Sequence, residues 1–113
     1  MSDINPIILP CDSQSMRPNP TQLYNLLSDQ ENSQKNIKLV VLVNPCNPTG
    51  IALDFDSELT AFVDVCEKFG VWLVVDNTYE HFVYDNTAKH RWKCSERKNV
   101  INIFSFSKAY GLM

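Results

Sequence analysis

The sequence predicts an α/β fold built on a parallel sheet, and three observations lead to this prediction. Short apolar runs rich in valine and isoleucine, typical of strands buried on both faces, occur at residues 38–43, 71–75 and 100–104. A segment with helical periodicity separates the first two runs. The links on either side of that segment are short. Strand, helix and strand joined in this way form a βαβ unit, whose strands run parallel with a right-handed crossover.

The chain before the first strand is predicted to contain one loop, one helix and one linker. The first nineteen residues are rich in Pro, Asp, Ser and Asn, and they predict an entry loop with at most an edge strand over residues 7–9. Asn19 followed by Pro20 favours a helix start, because proline is tolerated in the first helical turn. Leucines then recur at helical spacing as far as Leu27. Residues 28–36 are polar throughout and predict a linker.

The second predicted helix connects the first two strands. Asp54, Asp56 and Ser57 offer capping oxygens at its start, and the two carboxylates favour the positive end of the helix dipole. Gly70 is the expected stop, because glycine adopts the left-handed conformation that often ends a helix. One face of this helix is apolar and consists of Leu59, Phe62, Val63, Cys66 and Phe69.

Composition narrows the class of protein. A chain of 113 residues with 44% hydrophobic and 20% charged residues predicts one globular domain at most. The net charge of −3 argues against a nucleic-acid surface, and the basic cluster at residues 89–98 is interpreted as a solvated loop. The four cysteines lack the spacing of a zinc or redox motif and are expected to be free thiols. We see no secretory signal and no run long enough to span a bilayer, so the default expectation is a cytoplasmic protein.

Polar side chains that could bind a ligand or take part in catalysis follow each predicted strand. Asn47 lies in a turn after the first strand, Asp76 and Tyr79 follow the second, and Ser105 and Lys108 follow the third. Ligands of open parallel sheets bind beyond the carboxyl ends of the strands, so these loops are expected to meet at one site. An amide, an acid, a phenol and an amine are the groups that hold pyridoxal phosphate and use it as an electron sink.

Each of these residues also has a plain structural explanation. A lone lysine is usually a solvated charge, an aspartate after a strand commonly caps a turn, and tyrosine is often amphipathic. Asn47 lies between two prolines, where a structural turn is expected in any case. The ordered set of residues carries the functional interpretation better than any single member does.

Three segments resemble the class I/II aminotransferases, which are pyridoxal-phosphate enzymes of fold type I. Asn44-Pro45-Cys46-Asn47-Pro48-Thr49-Gly50 is similar to their Asn-Pro-x-Asn-Pro-Thr-Gly turn, and Asp76-Asn77-Thr78-Tyr79 resembles their Asp-x-x-Tyr segment. Ser105-Phe106-Ser107-Lys108-Ala109-Tyr110-Gly111-Leu112 resembles the start of their lysine signature. Asn77 and Thr78 depart from the family, which more usually has an acidic and an apolar residue there.

The resemblance implies a role for each matching residue. Lys108 would carry the internal aldimine and then shuttle a proton between the substrate α-carbon and C4′ of the cofactor. Asp76 would pair with the pyridine nitrogen, while Tyr79 and Asn47 would bond the phenolic oxygen. Ser105, and more weakly Ser107, would bond the phosphate. The implied reaction of amino-acid metabolism transfers an amino group between an amino acid and a 2-oxo acid, in an enzyme expected to be a homodimer.

The resemblance also implies what part of an enzyme this is. Residues 1–113 are expected to form part of the large, cofactor-binding domain, within its mostly parallel three-layer α/β/α sheet. The N-terminal part and the small C-terminal domain of the family are absent from this sequence. The family's phosphate-clamping arginine, eight residues past the lysine, would fall beyond Met113.

Four other hypotheses remain beside amino-group transfer. A lyase or synthase of the same fold would share the lysine, aspartate and tyrosine, and a truncated chain could act only by association with other proteins. A nucleotide-binding domain is disfavoured, because neither glycine-rich phosphate motif is present. A zinc site built from His81, His90 and Cys94 is disfavoured by loose spacing and the lack of a fourth ligand.

Overall fold

The described residues form a three-stranded parallel sheet with helices packed on one face. The structure is a computed structural model, and it describes residues 4–30, 32–84 and 93–112. The strands are β1 (Leu39–Val43), β2 (Trp72–Asp76) and β3 (Val100–Ile103), in the spatial order β1-β2-β3. Both pairings are parallel, as the βαβ pattern predicts.

Two helices cover the inner face of the sheet. Helix α1 spans Pro20–Ser28 and begins at Asn19, whose side chain accepts a hydrogen bond from the backbone N–H of Thr21. Helix α2 spans Thr60–Lys68. The core between the helices and the sheet is built from aliphatic and aromatic residues and includes Leu23, Leu27, Leu42, Leu59, Phe62, Val63, Cys66, Leu73 and Val75.

The start of the second helical segment differs from a regular α-helix. Phe55–Leu59 forms a wide π-type turn that precedes α2, and Asp54 caps it by accepting from the backbone N–H of Ser57 at 2.9 Å. The predicted apolar face nevertheless turns inward, and Gly70 ends the segment with φ of +64°.

The outer face of the sheet is apolar and exposed along β1 and β3, which corrects the prediction that these strands are buried on both faces, whereas Val74 in the middle of β2 is only 8% exposed. Side chains alternate between faces along a strand, so Val41, Val74 and Ile101 form one row across the three strands. Val41 is 61% exposed and Ile101 is 44% exposed. Trp72 and Leu39 on the same face are each 49% exposed. Valine-rich runs look the same in sequence whether one face or two are covered, which is why the prediction was wrong.

Two further predictions fare differently. The prediction of an edge strand over residues 7–9 is wrong, because these residues form no strand. Of the three, only Leu9 packs against the core. The basic cluster at residues 89–98 lies partly outside the described residues. Within its described part, Arg97 is exposed and pairs with Glu67 at 2.6 Å and Asp64 at 3.0 Å, both on α2.

We expect the outer face of the sheet to bind an apolar fluorescent dye such as anilinonaphthalene sulfonate, because contiguous exposed apolar surface is unusual on a folded protein. Replacing Val41 and Ile101 together with threonine should remove most of the dye fluorescence, while keeping residues that favour strands. The matched control is Ile4→Thr, which alters an exposed isoleucine outside the sheet. Equal dye binding by the double variant and the unaltered protein would contradict an accessible outer face.

Candidate functional site

The three strands end at one edge of the sheet, and the polar segments of interest begin there. In the strand register, Val43 is opposite Asp76 and Asp76 is opposite Ile103. The next residue of each strand is therefore Asn44, Asn77 or Phe104. The backbone confirms this alignment, since Asn44 N–H donates to the carbonyl of Asp76 at 3.0 Å and Asn77 N–H to that of Ile103 at 2.8 Å.

The turn after β1 is held closed by internal hydrogen bonds. Asn44 is 1% exposed, and its side-chain oxygen accepts from the backbone N–H of Leu53 at 2.8 Å. Cys46 donates its N–H to Ile51 at 2.8 Å and accepts from the N–H of Gly50 at 2.7 Å. Gly50 has φ of +73°, a conformation that disfavours any side chain. The Asn44–Pro45 and Asn47–Pro48 peptide bonds are both cis.

This turn presents Asn47 to Tyr79. The side-chain amide of Asn47 donates to the phenolic oxygen of Tyr79 at 2.9 Å, across 32 positions of sequence. The ring of Phe82 packs edge-on against that of Tyr79, with ring centres 5.7 Å apart. A cavity of about 170 Å³ adjoins this pair and is lined by Pro45, Cys46, Asn47, Pro48, Gly50, Tyr79 and Phe82. The structure thus brings together two of the predicted site residues, with space beside them.

Asp76 ends β2 with one carboxylate oxygen engaged. Its Oδ1 accepts from the backbone N–H of Thr78 at 3.0 Å and from the hydroxyl of Thr78 at 2.6 Å. In the part of the chain that the structure describes, no group donates to Oδ2. Asp76 is half-buried, and a carboxylate has about four acceptor positions, so its capacity to accept hydrogen bonds is not exhausted by the two from Thr78.

Asn77 ties this segment to the neighbouring strand. It is 1% exposed, and its amide donates to the carbonyl of Val75 at 3.1 Å and to the side-chain oxygen of Asn102 at 3.3 Å. The amide of Asn102 donates in turn to the carbonyl of Ser95 at 2.9 Å. Since buried amides are costly when unpaired, this chain of bonds fixes the start of the loop that carries Tyr79.

The segment after β3 holds the remaining predicted residues. Ser105 precedes the short helix α3 (Phe106–Ala109), accepts from the N–H of Ser107 at 3.2 Å, and lies 2.6 Å from the hydroxyl of Ser107. Lys108 is exposed, and among residues 4–30, 32–84 and 93–112 its amine has no hydrogen-bond or ion-pair partner.

The lysine segment is joined to the Tyr79 segment by a contact between two rings. Tyr110 directly follows α3, and its hydroxyl lies 3.2 Å from Nε2 of His81. His81 belongs to the short 3₁₀ turn Glu80–Phe82, which begins immediately after Tyr79. The two rings meet edge-on with centres 5.6 Å apart. The loops that follow β2 and β3 are therefore in contact.

The cysteines are free thiols, as predicted. Cys66 lies in the core, and burial raises the pKa of its thiol to about 11. Burial is also the main reason that the pKa of the Cys94 thiol is raised, with the nearby carboxylates of Glu80 and Glu96 adding to it.

Neither a metal site nor a membrane span is found in the described part of the chain. Across residues 4–30, 32–84 and 93–112, no three His, Cys, Asp or Glu side chains are grouped so that they can bind a metal ion. The zinc alternative includes His90, which lies outside these residues. None of the described helices has the length and apolar character needed to cross a bilayer.

Sequence reasoning missed three contacts of this site. It treated Thr78 and Asn77 only as departures from a pattern, although Thr78 bonds Asp76 and Asn77 bonds Asn102. It also considered His81 only as a ligand of a disfavoured zinc site, although His81 contacts Tyr110. The spacing of Asp76 and Thr78, two residues apart, is typical of a local side-chain turn and offered a signal for the first contact.

Comparisons with known proteins agree with one another. The family described as aminotransferase class I and II matches residues 1–113. An aromatic aminotransferase of Arabidopsis thaliana is 40% identical over 109 residues, which are 96% of this chain and 26% of that protein. An aspartate aminotransferase of Pyrococcus horikoshii is 27% identical over 113 residues, which are 99% of this chain and 27% of the relative. The chain thus spans about a quarter of the length of these curated relatives.

Solved structures show the same fold. An aminotransferase from Mycobacterium tuberculosis matches with a TM-score of 0.68 at 27% identity, over 91% of this chain and 25% of its own. A pyridoxal-phosphate-bound C–S lyase from Staphylococcus hominis matches with a TM-score of 0.66 over 85% of this chain and 24% of its own. At 23% identity the lyase shows likeness of fold alone. These matches confirm the predicted α/β class with its parallel sheet.

Proposed function

The chain belongs to the class I and II aminotransferases, and we propose that it supplies part of a pyridoxal-phosphate site for transferring an amino group between an amino acid and a 2-oxo acid. It corresponds on this proposal to the middle of the large, cofactor-binding domain. The N-terminal part, the small domain and a second copy of the subunit complete the enzyme. The 40% identity to an aromatic aminotransferase favours an aromatic amino acid among the candidate donors.

The observation that carries the proposal is the hydrogen bond between Asn47 and Tyr79 at the carboxyl edge of the sheet. The two groups come from the loops after β1 and β2, and Asp76 lies only three residues before Tyr79. Parallel sheets bind ligands at this edge. An amide N–H and a phenol held 2.9 Å apart are suited to bonding one oxygen of a planar ligand.

The other groups of the site suit the remaining parts of pyridoxal phosphate. Asp76 has a carboxylate oxygen to accept from a protonated ring nitrogen, and Ser105 and Ser107 bring two hydroxyls to the neighbouring loop. Lys108 brings an amine with no partner in the described part of the chain. The donors and acceptors present therefore fit this cofactor.

Bound in such a site, pyridoxal phosphate supplies an electron sink that stabilises negative charge at the substrate α-carbon. Asp76 would keep the ring nitrogen protonated, while Asn47 and Tyr79 would orient the ring by bonding its phenolic oxygen. Ser105 would hold the phosphate, with Ser107 as the weaker second donor. Lys108 would hold the cofactor through its amine and, with that amine free, would be the group that moves a proton between the α-carbon and C4′.

A lyase reaction on the same site is the alternative. The C–S lyase from Staphylococcus hominis supports it only through the fold. Amino-group transfer is supported by more than the fold, because the aromatic aminotransferase of Arabidopsis thaliana is 40% identical to this chain. Amino-group transfer is accordingly the function we propose.

Replacing Asn47 with alanine should weaken the affinity for pyridoxal phosphate about fivefold, which corresponds to about 1 kcal/mol for one hydrogen bond. Affinity is measured by titrating the protein with pyridoxal phosphate and following tryptophan fluorescence. The matched control is Asn25→Ala, which alters an exposed asparagine on α1 and should leave the affinity unchanged. Failure of the unaltered protein to bind, or equal binding by both variants, would contradict the proposed site.

A further inference from the structure

The hydroxyl of Thr78 donates a hydrogen bond to one carboxylate oxygen of Asp76, the residue proposed to accept from the ring nitrogen of the cofactor. Thr78 donates to Oδ1 of Asp76 twice, through its backbone N–H at 3.0 Å and its hydroxyl at 2.6 Å. Any residue at position 78 except proline keeps the backbone donor. The second donor is the side-chain hydroxyl of Thr78, so this bond depends on the side chain at position 78.

The two bonds have a consequence for the carboxylate. An ionised carboxylate has two oxygens and about four acceptor positions, and hydrogen bonds to a charged acceptor are roughly twice as strong as neutral ones. Two donors on Oδ1 restrict rotation of the Asp76 side chain. They leave Oδ2, which has no donor among the described residues, as the oxygen available to a ring N–H.

Thr78 itself is well held. Its two neighbours are Asn77, buried and bonded to Val75 and Asn102, and Tyr79, bonded to Asn47. Thr78 is half-buried between these two fixed residues. A threonine on a fixed backbone has few side-chain conformations. Its hydroxyl therefore stays in the position from which it donates to the carboxylate of Asp76.

We propose that Thr78 is a positioning residue, which orients Asp76 so that Oδ2 accepts the N–H of the pyridine ring of pyridoxal phosphate. This inference rests on the proposed function, because it concerns the same site. It assigns a task to a residue whose side chain would not touch the cofactor. It also predicts that the affinity for pyridoxal phosphate depends on the presence of a hydroxyl at position 78 rather than on the size of the side chain there.

The test compares Thr78→Val, which keeps the shape and the backbone donor, with Thr78→Ser, which restores a hydroxyl. Pyridoxal phosphate affinity is measured by fluorescence titration. Thr78→Val should bind about five- to tenfold more weakly, as expected for losing one charge-assisted hydrogen bond that preorganises the acceptor. Thr78→Ser should bind within about twofold of the unaltered protein, because the hydroxyl bond is kept.

A second ligand separates positioning from a general structural effect. Deaza-pyridoxal phosphate has a C–H in place of the ring nitrogen and cannot donate to Asp76. Thr78→Val and the unaltered protein should bind this analogue equally. An equal loss with both ligands, no loss with pyridoxal phosphate, or a Ser variant as weak as the Val variant would each overturn the inference. Absence of pyridoxal phosphate binding by the unaltered protein would instead overturn the proposed function.

Discussion

Replacing Lys108 with alanine is expected to abolish stable labelling of the protein by pyridoxal phosphate followed by borohydride. An amine joined to the cofactor aldehyde becomes a permanent secondary amine on reduction, so the label marks the lysine that the cofactor selected. Lys108 is exposed and unpartnered among the described residues, on a helix that contacts the Tyr79 segment through Tyr110 and His81. Peptide mapping by mass spectrometry measures the site and the extent of labelling.

The control for this experiment is Lys68→Ala. Lys68 is also exposed, but its amine donates to the hydroxyl of Tyr24 at 3.0 Å and lies on α2, a core-packed helix of the inner face. Labelling of Lys108 should persist in this variant. Label spread over exposed lysines, and unchanged by Lys108→Ala, would contradict the proposal. The alternative of a truncated chain that acts only by association would then be favoured.

The order of elements could be predicted because local patterns decide it. Each signal depends only on residues that are close in sequence: the valine-rich runs, the helical spacing from Leu59 to Cys66, and the stop at Gly70. The structure has the strands, the helix and the helix end at these positions. The parallel arrangement follows from the short links through the handedness rule for crossovers. The wide turn at Phe55–Leu59 was missed, because the same apolar spacing fits both a regular helix and this turn.

The exposure of the sheet could not be predicted from the same patterns. An apolar run reports that a strand favours burial, but it does not report whether a second layer is present in this chain. Val41 and Leu73 are equally apolar in sequence, yet Val41 is 61% exposed and Leu73 is fully buried. The exposed fraction of each side chain depends on contacts with residues that are distant in sequence.

The candidate site was predictable as a set of loops rather than as a network. Parallel strands carry their following residues to one edge, which predicts that the loops of Asn47 and Tyr79 meet. The bond of Thr78 to Asp76 depends on side-chain conformation, and that of Asn77 to Asn102 depends on strand register. Residue spacing signals the first bond only as a common local turn, and it gives no signal for the second. The roles of these residues toward a cofactor stay predictions that the experiments above test.

The second large effect is expected for stability. Replacing Leu73 with alanine should lower the free energy of unfolding by about 3 kcal/mol, since burial is lost and a cavity forms. Leu73 lies in β2, the central strand, and is fully buried. Small domains have free energies of unfolding of about 5–15 kcal/mol, so this loss is a large share of the total. Urea denaturation followed by circular dichroism measures it.

Leu39→Ala is the matched control, because it makes the same chemical change on the outer face of the sheet. Leu39 is 49% exposed at the start of β1, an edge strand, and its loss should cost less than about 1 kcal/mol. A ratio of about three or more between the two losses follows from the different burial of the two side chains. Equal losses would contradict that difference and would require the outer face to be covered in solution. In that case the dye experiment on Val41 and Ile101 should also give no signal, so the two measurements test the same feature independently.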